Sequence, residues 1–176
     1  GLGVRYDPVT AFEHVPPRTM NMMINAEVKE MPELHVAYVR KMGAYGKETC
    51  EAAFGELMQW AGPRGFAETG QTMSMYWDNP EVTAPEQCRV DACVTVPIGT
   101  EVAGAVALQT VAGGRYVVCR METKTDNFDE AWQEAFAWVV EHGHECAERP
   151  CYELYHQIPE MGPGDAWVFD ICVPLV

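Results

Sequence analysis

Positive charge is scarce in this sequence: 12 Lys and Arg stand against 26 Asp and Glu, a formal net charge of −14. Nucleic-acid binding depends on clustered basic side chains that displace counterions from phosphates, and the few present here are scattered. The balance argues against direct nucleic-acid binding by this domain and against docking on an anionic membrane. Long hydrophobic runs are missing too, so no segment reaches the roughly 18 apolar residues of a membrane helix. No basic start followed by an apolar stretch marks a signal peptide. Serine is nearly absent: Ser74 is the only one, and no G-x-S-x-G surrounds it, which removes the serine-hydrolase class. The seven cysteines, Cys50, Cys88, Cys93, Cys119, Cys146, Cys151 and Cys172, include no C-x-x-C pair. Their odd number and apolar surroundings predict buried free thiols, no disulfide, and a reducing, cytoplasmic location.

What is present is a globular chain that contains itself twice. Its 176 residues suit one domain or two small fused halves. Met73–Pro80 aligns with Tyr152–Pro159, setting Tyr76 on Tyr155 and Pro80 on Pro159, each 79 positions on. The same step sets Asp91 on Asp170 and Cys93 on Cys172, and a step of 80 sets Arg40 on Arg120. One register held over so many uncommon residues predicts a tandem repeat.

Each half carries one helix. Cys50, Ala53, Phe54, Leu57 and Ala61 recur at helical spacing until Gly62-Pro63 stops them. Phe128, Ala131, Trp132, Ala135, Phe136 and Val139 form a second stripe, with Asn127 as its expected N-cap and Gly143 beyond its end. Strands are predicted over 22–29 and 34–40 around a Met-Pro-Glu turn, and over 106–111 and 115–121 around Gly113-Gly114. Two more follow each helix, at 72–77 with 90–96 and at 151–156 with 168–173. The expected fold is therefore α+β, a tandem repeat of two β-β-α-β-β units (about 20–97 and 103–175). Pseudo-twofold symmetry would leave a ligand cleft at their junction. Residues 1–19, with Pro8, Pro16 and Pro17, read as an arm or linker ahead of a domain over 20–176.

Alternation along Cys151–His156 puts Glu153 and Tyr155 on one face and Tyr152, Leu154 and His156 on the other. With Met73, Met75 and Leu154 assigned to the helix side, Glu153 and Tyr155 are expected on the opposite, cleft-lining face. Glu153 is the asymmetry between the halves, because its counterpart is Ser74. A carboxylate in a half-buried strand needs compensation. Arg149 or Arg120 could supply it structurally, or the acid could face a cationic, aromatic ligand. His142-Gly-His144-Glu-Cys146 matches no zinc spacing, so no metal is expected. Cys119 and Cys151 are the thiols that an alternative, nucleophilic reading would use.

Several short motifs together resemble one family. They are Tyr116-Val-Val118, the second helix, Pro150-Cys-Tyr-Glu-Leu-Tyr155, the Pro159 turn and Phe169-Asp-Ile-Cys-Val-Pro174. In the first half, Val36-Ala-Tyr-Val-Arg40, Gly43, Tyr76 with Asp78 and Pro80, and Arg89-Val-Asp91 fit as well. This order is similar to the GyrI-like effector-binding domain, which occurs alone and in AraC-type and MerR-type regulators. The resemblance implies a pocket containing the glutamate of the Glu-x-Tyr strand, here Glu153. The expected ligand is a hydrophobic, aromatic or cationic small molecule. Tyr155, Tyr38, Tyr76, Trp132 and Phe169 are the candidate aromatic contacts, and no cofactor is expected. In a regulator, the DNA-binding helices would lie before Gly1. Two other roles follow from the same resemblance. One is hydrolysis of strained cyclopropane-containing toxins, with Glu153 as general base and Tyr38 or Tyr155 as acid. The other is an acidic protein-interaction module of the gyrase-protecting type.

Overall fold

The computed structural model describes residues 22–125, 128–159 and 166–176. The arm expected over 1–19 and the N-cap expected at Asn127 lie outside them. Eight strands are present: β1 (Met23–Met31), β2 (Leu34–Met42), β3 (Thr72–Tyr76), β4 (Arg89–Thr95), β5 (Ala107–Val111), β6 (Gly114–Thr123), β7 (Cys151–Gln157) and β8 (Trp167–Pro174). The helices are α1 (Lys47–Ala61), the single turn α2 (Phe66–Thr69) and α3 (Phe128–Glu141). No helix among the described residues is long and apolar enough to cross a membrane.

The described residues divide into two compact units, 22–30 with those from 115 onward (unit 1) and 31–114 (unit 2). In unit 1 the strand order is β1-β6-β8-β7, and in unit 2 it is β5-β2-β4-β3. β6, β8 and β7 pair antiparallel in unit 1, as do β5, β2, β4 and β3 in unit 2. The fold is thus α+β with antiparallel sheets and few helices. The order within each unit is the same, and so is one detail of register: Arg40 lies opposite Asp91, and Arg120 opposite Asp170.

The two short turns do not join strands that pair with each other. β1 is next to β6 rather than β2, and β5 is next to β2 rather than β6. Each unit therefore takes its terminal strand from the other half of the sequence. The two connections lie in close contact at Gly113. A Cβ on Gly113 would come within 2.7 Å of the Met31 carbonyl oxygen and 2.8 Å of the Glu33 amide nitrogen. Only glycine lets the two backbones approach so closely. The Met-Pro-Glu and Gly-Gly segments are crossing points, not hairpin turns.

Both helices lie where their stripes require. α1 buries Ala53, Leu57, Trp60 and Ala61 against Ala37, Val39, Ala92 and Val94 of unit 2. α3 buries Ala131, Ala135, Phe136 and Val139 against Val117, Cys119, Met121, Phe169, Ile171 and Val173 of unit 1. Gly143, at φ +71°, ends α3 in the left-handed conformation. The His144 amide then reaches Val139 O at 3.0 Å and the Gly143 amide reaches Val140 O at 3.1 Å, closing the helix carbonyls.

Candidate functional site

Glu153 is 1% exposed. It lies opposite Ile171, which belongs to the core beneath α3. The expected face is therefore reversed: Glu153 and Tyr155 lie on the helix-covered side of the sheet. Met73 lies on the face away from α1, because its partner Cys93 alternates with Ala92 and Val94, which face that helix. Hydrophobicity misled the reading because the strand centres are buried on both faces. Met73, Met75 and Leu154 are 0%, 2% and 5% exposed without touching the helix layer's core.

Both oxygens of Glu153 accept hydrogen bonds from aromatic side chains. Trp132 Nε1, projected from α3, donates to Oε2 at 2.5 Å, and Tyr155 OH donates to Oε1 at 2.6 Å. Two groups of rings meet at this carboxylate. Phe128 stands 4.8 Å from Phe169 and 5.1 Å from Trp167, and Trp132 stands 5.6 Å from Phe136. Tyr155 is 6.2 Å from Trp167 and 6.4 Å from Phe169. The arginines considered as structural partners are engaged elsewhere: Arg120 bonds Asp170, and Arg149 lies 5.3 Å over the Tyr116 ring.

Unit 1 thus brings four of the six candidate residues together: Glu153, Tyr155, Trp132 and Phe169. Tyr76 and Tyr38 belong to unit 2 and do not meet each other within it. Tyr76 packs edge-on against Tyr45 at 5.0 Å and lies 3.9 Å from the Cys50 sulfur. Tyr38 lies on the sheet face away from α1, with the Arg40 guanidinium 5.5 Å over its ring. Trp167 was missed as part of the ring cluster. Period-two alternation from Phe169 along β8 would have found it.

Glu134 was missed as well. It is 3% exposed, on the flank of α3 opposite the Trp132 contact, and its Oε2 accepts the amides of Met22 and Met23, each at 3.1 Å. α3 is therefore held by a carboxylate on each flank. One belongs to the sheet and receives the helix's indole, and the other belongs to the helix and receives the start of β1.

On the opposite sheet face each unit holds an arginine–aspartate pair. In unit 2, Asp91 accepts Arg40 Nε at 2.7 Å and Nη2 at 2.9 Å, Trp77 Nε1 at 2.7 Å and Gln109 Nε2 at 2.9 Å. In unit 1, Asp170 accepts Arg120 Nε at 2.6 Å and lies 2.7 Å from His156 Nε2. Burial pushes the Asp170 carboxyl up, but the hydrogen bonds from His156 and Arg120 outweigh it and hold the group below its ordinary range.

The seven thiols are free. Burial pushes Cys119 up to about 12 and Cys151 higher still, so both are held as neutral thiols rather than nucleophilic thiolates. His142 and His144 stack on Trp138 at 3.8 and 5.8 Å, an aromatic use of that cluster.

With the geometry in place, comparison with known proteins is decisive about the family. The pattern of the GyrI-like small molecule binding domain matches residues 25–176. The chain belongs to this family. It is 28% identical over 155 residues to a DNA gyrase inhibitor of Pantoea sp. (strain At-9b), covering 86% of this chain and 98% of that protein. The crystal structure of the EcmrR C-terminal domain superposes with a TM-score of 0.67 at 17% identity, over 86% of this chain and 97% of the other. SAV2435 bound to tetraphenylphosphonium has the same fold, with a TM-score of 0.53 at 13% identity over 87% and 94% of the two chains.

Proposed function

We propose that this GyrI-like domain is a receptor for hydrophobic aromatic cations, with Glu153 as the charged floor of the site and Trp132, Tyr155 and Phe169 as its walls. The observation that carries the reading is the position of Glu153, a buried carboxylate surrounded by rings. Aromatic faces attract cations, and a carboxylate in a place from which water is withheld attracts them more strongly than one in bulk solvent. The two donors on Glu153 are groups that an organic cation could replace. The proposal rests on these four residues of unit 1.

The same geometry favours binding over catalysis. Hydrogen bonds from Trp132 and Tyr155 occupy both oxygens of Glu153, so a general base here would have to give up one of them before taking a proton from water. The equal strand orders and the paired Arg–Asp positions support a tandem duplication in which one unit kept or gained the acid. As part of a cytoplasmic bacterial regulator, the domain would act only through a difference in ligand affinity between two regulator states. As a stand-alone protein, it would sequester its ligand.

Glu153→Gln tests the reading, with tetraphenylphosphonium as the probe in isothermal titration calorimetry. The fold should survive, because the Tyr155 hydroxyl can turn from donor to acceptor and meet the new amide. Affinity should fall by about tenfold or more, on the order of 1.5–3 kcal/mol for a lost charge-assisted contact. A neutral triphenyl compound should lose much less. Unchanged affinity in the variant, or no binding of the cation by the parent protein, overturns the proposal.

A further inference from the structure

We propose that Glu134 sets the affinity of the cation site by tying α3, which carries Trp132, to the start of β1. This rests on the reading of Glu153 as the floor of that site. The carboxylate is covered: Glu153 is 1% exposed and lies opposite Ile171, in the core beneath α3. A bulky aromatic cation cannot come against an oxygen so covered while α3 keeps its place. Moving the Trp132 indole alone frees one hydrogen bond, but it leaves Ala131, Ala135, Phe136 and Val139 packed over the sheet. Binding therefore shifts α3, and whatever holds α3 opposes binding.

Glu134 is such a hold. It follows Trp132 by two positions, roughly 200° around a helix, so the two side chains leave α3 on opposite flanks. Its Oε2 accepts the Met22 and Met23 amides, each at 3.1 Å, with the side chain 3% exposed. Hydrogen bonds to an ionised acceptor are stronger than neutral ones, and water does not compete for these. Oε1 is buried with no hydrogen-bond partner among the described residues, so the two amides carry the compensation of this charge. Met22 is itself fixed to the sheet. Its carbonyl oxygen accepts the Glu122 amide of β6 at 2.9 Å, and its side chain belongs to the core beneath α3. The apolar stripe of α3 resists being uncovered but has no preferred direction. The pair of amides gives the helix a fixed position.

A cation that shifts α3 strains this tie, and loss of the tie eases the shift. Linkage makes these one coupling seen from its two ends. The start of β1 thus registers whether the site is occupied. Glu134 holds the affinity below what Glu153 and its rings would otherwise give. A residue that merely supported the fold would act in the opposite direction, because its loss would weaken binding.

Calorimetric titration of the full chain with tetraphenylphosphonium compares Glu134→Gln with Glu134→Met. Both remove the charge and keep the length of the side chain, but only Gln keeps an oxygen for the two amides. The Met variant should bind the cation about fivefold or more tighter than the Gln variant. Amide hydrogen exchange in the parent protein needs no substitution, and it decides the matter alone if the Met variant does not fold. A bound ligand slows exchange across a fold by stabilising it. The Met22 and Met23 amides should instead exchange about tenfold faster with the cation bound. A Met variant that binds no tighter than Gln overturns the proposal and leaves the reading of Glu153 standing. So does slower exchange of these two amides in the complex. A parent protein that does not bind the cation overturns that reading, and this proposal with it.

Discussion

The two units place similar strands in the same order, yet they treat polar groups on the helix side of the sheet differently. In unit 1 the strand after the helix carries Glu153, bonded by Trp132 and Tyr155. In unit 2 the corresponding residue is Ser74, also fully buried, and the corresponding tyrosine, Tyr76, meets Cys50 and Tyr45 instead. On the far side of the sheet the units agree more closely, because both join an arginine of the second strand in the sheet order to an aspartate of the third. There the difference is in the other partners: Trp77 and Gln109 on Asp91, and His156 on Asp170. The frame thus tolerates a change of chemistry at one position per unit while keeping its Arg–Asp pair. On the helix side, unit 2 holds a neutral serine where unit 1 holds a carboxylate among aromatic rings.

The largest test of this comparison removes each arginine. Arg40→Ala leaves Asp91, which is 0% exposed, without its charged partner. It should destabilise the fold by about 3 kcal/mol, near the lower end of the cost of breaking a buried pair, because the Arg40 side chain itself is 36% exposed. Arg120→Ala should cost less, about 2 kcal/mol, because Asp170 is slightly exposed and keeps His156 beside it, whereas Asp91 is fully buried and keeps only the neutral donors Trp77 and Gln109. Urea unfolding measures both. Equal losses would mean that the other partners do not matter.

A smaller pair of changes addresses the helix side. Trp132→Phe keeps a ring but removes the donor to Glu153, and it should cost about 1–2 kcal/mol as a buried carboxylate loses a hydrogen bond. Ser74→Ala should cost less than about 1 kcal/mol, because a hydroxyl's neutral hydrogen bonds are weaker than those of a carboxylate. If the serine variant is the more damaged, the contrast between the two units on the helix side fails.

The smallest effect is on acid stability. The Asp170 carboxyl is held below its ordinary value of 3.8, so the folded state binds its proton less readily than the unfolded chain. Its contribution is complete above that value and is lost as the pH falls through the lower folded one. Arg120→Ala should move the onset of acid unfolding upward in pH, as followed by circular dichroism. An unchanged onset would separate the Arg120 contact from acid stability.

Much of this was legible along the chain. The stripes from Cys50 to Ala61 and from Phe128 to Val139 became α1 and α3, because helical spacing and the Gly62 and Gly143 stops are local signals. Glu153 stood out because an alignment of the chain with itself set it against Ser74. Strand partnership was not legible. Proximity in sequence favours pairing β1 with β2, and nothing local reveals that Gly113 lets the two connections cross at backbone contact.

By itself, then, the sequence determined the elements, their order and the residue that breaks the likeness between the halves. Each of these depends on spacing, alternation or identity within a few residues. Tertiary structure alone decided which unit each terminal strand joins and which face the helices cover. Both depend on packing between residues distant in the chain. The buried methionines show why the second could not be read in advance: where both faces of a strand are dry, Met73 and Met75 suit either side, and only the rings gathered around Glu153 reveal where the helix lies.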